Sequence, residues 1–376
     1  MLAAGTFAQA TYSAIWFGVA VLAPALRSHY HLSLAETGIL LGASLGGSVV
    51  TLVPWGMAAD AFGERAVLVA GVGACGVALI AASRVSSFWA VFSCLLAAGM
   101  SGASVQSASG RAVLAWFPQA QRGFALGVRQ TAIPIGGFAI ALGLPPIEHA
   151  GGVGAGFAAM GIACLASTLI AGLVLREGPA AETTSADAGP KPLRDRRIWA
   201  MAVGSGLIVA PQMCVVGFTV VFLHDRRGLS AGAAALVLAA IQLFGIAARI
   251  GAGRWSDVVG SRLAPMRTIA LVTSALTLLT AASLGAPLVL LVPTLVATGV
   301  LAMSWNGLAF AAAAEVAGRS RSGAAIGLQQ SVLNGIGATY PPLFGVLVAA
   351  SSWRYGFAAV ALLPLAGHRV LRALRA

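Results

Sequence analysis

Residues 56–65 read GMAADAFGER, and residues 253–262 read GRWSDVVGSR. Both fit G-x-x-x-D-x-x-G-x-R, and each closes a long apolar run. The fixed positions are Gly56, Asp60, Gly63 and Arg65 in the first copy and Gly253, Asp257, Gly260 and Arg262 in the second, an offset of 197. Further matches keep nearly the same spacing. GFALGVRQT at 123–131 aligns with GAAIGLQQS at 323–331, and GFAAM at 156–160 with GFAAV at 356–360, both at an offset of 200. Ordered matches at nearly one spacing argue that the chain is one design written twice.

The medium follows from composition. Of 376 residues 59% are hydrophobic and 9% charged, with mean hydropathy +0.90. A soluble domain carries about 25% charged residues, so this chain cannot cover a water-facing surface. Its apolar runs are continuous and about 20 residues long, the thickness of a bilayer's hydrocarbon. A membrane β-barrel would alternate apolar and polar residues in short segments. The net charge of +12 sits largely on Arg residues in short loops, as membrane topology requires, so no nucleic-acid partner is expected. Cys75, Cys94, Cys164 and Cys214 all fall within apolar runs. They form neither a metal-ligand spacing nor a disulfide framework, and read as packing residues. The opening MLAAGTFAQA lacks a basic region and runs into apolar sequence. It reads as the first span rather than a cleavable leader, with the native start at Met1 or upstream.

About twelve spans are expected, near 3–26, 36–58, 66–83, 88–112, 123–146, 152–175, 198–223, 232–254, 266–285, 288–313, 323–349 and 354–372. Pro134, Pro145 and Pro146 should kink the fifth span or end it near the last pair. Residues 176–197, REGPAAETTSADAGPKPLRDRR, form the one long linker. The chain therefore divides into 1–175, the linker 176–197, and 198–376. With the N-terminus inside, fifteen Arg and Lys residues fall on the inner side. Only Arg27, Arg84, Arg226, Arg227 and Arg354 fall outside. Both copies of the opening motif then lie in the cytoplasm.

Two parallel six-span repeats joined by a cytoplasmic linker, each with this motif after its second span, resemble the major facilitator superfamily over essentially the whole chain. The resemblance implies an all-α fold with 12 transmembrane helices in two six-helix bundles. It implies a secondary active transporter in the plasma (inner) membrane, both termini cytoplasmic, working by alternating access. Gly56 and Gly253 are expected to let a helix end approach its neighbour closely. Asp60 and Asp257 are short acceptors suited to helix-terminal N–H groups, and Arg65 and Arg262 can bridge carbonyls or carboxylates. The resemblance implies that this network joins the cytoplasmic ends of the halves when the carrier opens outward. The family often carries a basic residue between the Asp and the final Arg, where this chain has Ala61 and Glu64, then Val258 and Ser261. That departure bears on the latch, not on the fold.

Polar residues within spans are costly and so point to function. Arg129 lies six residues past Gly123, about 9 Å up the fifth span at 1.5 Å per residue. Gln329 is its counterpart in the second half, and Gln130 is matched by Gln330. Arg129 can attract an anionic substrate, or it can snorkel to the rim and tie helix ends; both readings stand. Arg111 and Arg249 lie nearer the inner ends of the fourth and eighth spans and read as structural. The resemblance implies that spans 1, 4, 7 and 10 line the cavity. Their polar and aromatic residues are Gln9, Tyr12, Trp16, Gln106, Gln212, Trp305 and Asn306, with Gln106 and Asn306 paired at an offset of 200. Helix–helix bonding and solute binding are both open to buried amides.

No Asp or Glu stands well inside any span, and the five His residues lie at loops or ends. A carrier of cationic drugs would usually hold a buried carboxylate. The expected solute is a small organic anion, a carboxylate, or a neutral metabolite, with a proton or ion as coupling partner. Within the same superfamily, a multidrug or metabolite efflux antiporter is the alternative. AIPIGG at 132–137 resembles part of the antiporter-associated Gly-Pro motif, with Ile133 where a Gly would precede Pro134. A transporter-like sensor is the alternative outside transport. No catalytic constellation or P-loop is present in the sequence, so neither an enzyme nor ATP drive is expected. No cofactor and no metal are expected, and the carrier should be a monomer in the lipid bilayer.

Overall fold

In the computed structural model the backbone is described for residues 2–116, 119–175, 194–317 and 322–374. Side chains are described for 5–59, 61–106, 130–175, 194–317 and 325–374. The linker segment 176–193 lies outside the described residues. The described chain is α-helical, with no strand. Its helices are α1 (Leu2–Tyr30), α2 (Leu34–Phe62), α3 (Glu64–Ala82), α4 (Phe88–Trp116) and α5 (Gln119–Val174). The second half holds α6 (Arg196–Pro211), α7 (Gly217–Arg227), α8 (Ala231–Val259), α9 (Leu263–Ser283), α10 (Leu288–Ala302), α11 (Asn306–Ala317), α12 (Ser322–Ala350) and α13 (Trp353–Arg372). In hydrocarbon every backbone N–H and C=O must be bonded within the protein, and a helix does this locally. The helices overrun the apolar runs by about a turn because polar interfacial residues continue them.

Among the described residues, ten helical segments are long and apolar enough to cross a membrane. The longest, Gln130–Val174, contains two passes. Gly152 has φ +70° and breaks the helix there, a conformation that costs a glycine little. The chain then doubles back, since Ile140 and Met160 both lie against Gly18 of α1. The helix does not end at Pro145–Pro146 but runs on to this glycine. At 20 residues α13 is long enough to span, about 30 Å at 1.5 Å per residue. It packs on α9 and α6.

Successive turns alternate between two ends. At one, the far end, Tyr30 donates to Val85 O at 2.9 Å and Arg227 donates to Leu284 O at 3.1 Å. At the other, the motif end, Arg65 donates to Gly172 O and Arg267 to Leu374 O. Neighbours recur between the halves. The first pass packs on the fifth (α1 on α5), and the seventh (α6 with α7) packs on the eleventh (α12). The second packs on the fourth (α2 on α4), and the eighth on the tenth (α8 on α10). The duplication in the sequence is thus a duplication of packing.

The halves meet along α2–α12 and α5–α8. On the far-end side of α2, backbones touch directly. A Cβ at Gly38 would lie 2.2 Å from Pro341 O, and one at Gly345 would lie 2.2 Å from Leu34 O. Only glycine permits that approach. Arg27 and Asp225 form an ion pair between α1 and α7 at the same end.

Candidate substrate site and gates

The motif copies lie where two helices turn. Gly63 (φ +82°) separates α2 from α3 and Gly260 (φ +66°) closes α8. These are the glycines whose backbone freedom the turns use. Among the described residues, no atom lies within 4 Å of a Cβ built at Gly56 or Gly253. The side chain of Asp60 lies outside the described residues. In the second copy Arg262 pairs with Asp257, donates from Nε to Glu315 Oε1 at 2.9 Å and from Nη1 to Ser256 Oγ at 2.6 Å. Bonding to Glu315 and Asp257 holds its guanidinium above the ordinary arginine range. Arg65 and Arg262 therefore bond within their own halves. No Arg65 or Arg262 bond to the opposite half appears among the described residues.

The interior is lined by amides and hydroxyls. Asn306 Nδ2 donates to Gln212 Oε1 at 3.4 Å, joining two residues read from sequence as cavity-lining. Gln329 Nε2 donates to Ser205 Oγ at 3.1 Å. Gln330 donates to Asn334 Oδ1 at 2.6 Å, and Asn334 Nδ2 donates to Ser48 Oγ at 3.0 Å, which crosses from α12 to α2. Gln106 is half-buried on α4. Tyr12 is enclosed, with its ring against Gly102 and edge-on to Trp16 at 5.5 Å. Trp305 is fully buried, and its indole N–H donates to Ala302 O of its own pass at 2.8 Å. The side chain of Arg129 lies outside the described residues.

Two local irregularities position these groups. Pro211 lacks an N–H and crowds the preceding turn, and the backbone widens into a π turn over Gln212–Val216. The tenth pass breaks at Met303–Trp305, between α10 and α11. Neither carries a strong signal in single-residue pattern, although Pro211 marks the first.

Arg249, read from sequence as structural and within reach of the interface, ties α8 to the tenth and fifth passes. It stands ten residues before the end of α8, about 15 Å along the helix. Its guanidinium turns inward. Nε donates to Met303 O at the break at 2.8 Å, and Nη1 donates across the halves to Gln130 O of α5 at 3.0 Å. Nη2 is buried without a hydrogen-bond partner. No carboxylate pairs with Arg249 among the described residues, and each described Asp and Glu lies at or near a helix end or in a loop. Seven residues earlier, Gln242 is fully buried against Gly137 of α5 with neither amide atom bonded. Sequence reading passed over Gln242 and Asn334 because a lone amide in an apolar run does not reveal which face it takes.

The family model described as Major Facilitator Superfamily matches residues 5–339. The chain belongs to that superfamily. Two Mycobacterium tuberculosis proteins, the uncharacterized MFS-type transporters MT3072 (strain CDC 1551 / Oshkosh) and Rv2994 (strain H37Rv), are each 35% identical over 352 residues. These cover 93% of this chain and 79% of the relative. Among solved structures, a bacterial homolog to the human lysosomal transporter Spinster, inward-facing and occupied, superposes with TM-score 0.79 at 14% identity, covering 99% of this chain and 95% of that one. The D-xylose–proton symporter gives 0.77 at 15% identity, covering 98% and 96%. The nucleoside transporter NupG gives 0.75 at 14%, covering 99% of both chains. These three share the fold with this superfamily member. The all-α, multi-pass membrane architecture read from the sequence is the architecture found.

Proposed function

We infer that this transporter carries a small organic anion, a carboxylate, across the inner membrane by alternating access. The carrying observation is Arg249. A guanidinium stays charged at any physiological pH, and an ion far from water needs a compensating charge. Two carbonyl dipoles compensate in part, and Nη2 remains available. An anionic solute supplies what the protein does not. The absence of any pairing carboxylate there, among the described residues, argues against a cationic solute for the same reason. The anion chemistry expected of Arg129 has a described counterpart in Arg249. The gating roles of the two motif copies stand as part of this proposal, as do the two bundles 1–175 and 198–376 moving about the site. The Arg and Lys bias supports cytoplasmic termini, so the sealed far end faces outward. A neutral polar solute is the second reading, favoured by the Gln330–Asn334–Ser48 chain across the halves.

Uptake of radiolabelled carboxylates into proteoliposomes tests the assignment. Carboxylate flux should fall at least about tenfold in Arg249→Gln, the loss of roughly one charge-assisted hydrogen bond. Flux of lipophilic cations with no carboxylate flux would overturn it.

A further inference from the structure

We propose that the transported anion also carries a hydroxyl, held by Asn306 beside the break in the tenth pass while Arg249 holds the carboxylate. This deepens, and rests on, the anion assignment of Arg249. Arg249 Nε is fixed on Met303 O, at the start of the break. Asn306 opens α11 three residues later. The two side chains therefore share one short turn, although they come from different passes. Asn306 is 8% exposed, one edge of its amide is bonded to Gln212, and its Oδ1 is buried without a partner. Gly307, next in the chain, is exposed, with open space where a Cβ would stand, so the first turn of α11 borders an accessible volume. That turn also points the positive end of a 12-residue helix at the break, which favours an anion there.

Arg249 provides donors only, and these suit a carboxylate. An amide edge offers an acceptor or a donor, and a hydroxyl can serve either. A ligand ammonium would meet the uncompensated guanidinium and find no carboxylate among the described residues around it. A purely apolar tail would leave Asn306 Oδ1 unbonded, and an unmade buried bond is costly. A site built to bond a hydroxyl rejects the analogue that lacks it. The solute class is therefore a small hydroxycarboxylate.

The probes are matched acids with and without the hydroxyl: glycolate against acetate, and 3-hydroxybutyrate against butyrate. Affinities are read by thermal shift of the purified full chain and by proteoliposome uptake. The hydroxylated member of at least one pair should bind about tenfold more tightly or better. Asn306→Ala should abolish that preference, and a melting transition without ligand as cooperative as the parent's shows that the variant is folded. Asn306→Ser, which keeps a hydroxyl, should restore part of it. Equal binding of both members, abolished in Arg249→Gln, would overturn the hydroxyl assignment and leave the anion assignment standing. Binding of neither member to the unaltered protein would overturn both.

Discussion

Arg249 and Trp305 show how residues of similar prominence in a sequence take different parts in a fold. Both stand in apolar runs, and both meet the break in the tenth pass. Trp305 satisfies its single donor on Ala302 O and is sealed in the core. Arg249 has more donors than two carbonyls absorb. Trp305→Phe removes one internal hydrogen bond and the five-membered ring, leaving a small cavity in the core. It should lower stability by about 2 kcal/mol or more, the bond plus the lost packing. Its solute affinity should stay within twofold of the parent in the thermal-shift titration. A loss of affinity with stability unchanged would return Trp305 to the binding site. The distinction was not legible in the sequence, because what separates the two is where the nearest carbonyls lie. The charge of Arg249 is visible in the sequence; its inward turn depends on a break in α10–α11 that no proline or glycine run announces.

Helix-scale features were more legible. Twelve passes follow from runs of apolar residues whose length the bilayer sets, and the turns at Gly63 and Gly260 follow from the repeated motif. The reversal at Gly152 was expected near its place, although Pro145 and Pro146 sit inside the helix rather than ending it. What periodicity cannot give is which face of one span meets which face of another, because lipid and protein neighbours are equally apolar. The α2–α12 seam is a case. Gly38 and Gly345 look like any of the chain's 47 glycines, yet a Cβ on either would collide with backbone across the halves. Gly38→Val should therefore wedge the seam apart at the far end. Backbone cannot yield as a flexible side chain does, so the sealed state should lose several-fold in population relative to the far-end-open state. A single cysteine introduced at Thr339, exposed on α12 beside the seam, should react faster with a membrane-impermeant maleimide in that background. An unchanged rate would show that the seam opens without separating these backbones.

For the whole molecule, alternating access requires the two ends to be held by contacts that exclude one another, since a carrier sealed at both ends or neither moves nothing. In the present conformation the far end carries two contacts between halves, the glycine seam and the Arg27–Asp225 pair. At the motif end, Arg65 bonds to Gly172 and Arg262 to Asp257 and Glu315, each within its own half. Under the proposed cycle, these far-end contacts are the ones that must part for the carrier to open there. Arg27 also donates to Leu32 O, which ties its guanidinium to the turn between α1 and α2. The pair is about a quarter exposed, with side-chain exposures of 26% and 25%, so its worth is near that of a surface ion pair, about 1 kcal/mol. Reversing one charge replaces attraction by repulsion. Arg27→Glu should therefore move the equilibrium toward far-end opening by roughly five- to tenfold, and Asp225→Arg should do the same. The double variant restores an opposite-charge pair and should return the equilibrium most of the way, while addition of salt should weaken all three effects by screening. Spin labels placed at the two ends report the distribution directly. If the double variant is no closer to the parent than the single variants, the pair is a bystander and the glycine seam alone holds the far end shut.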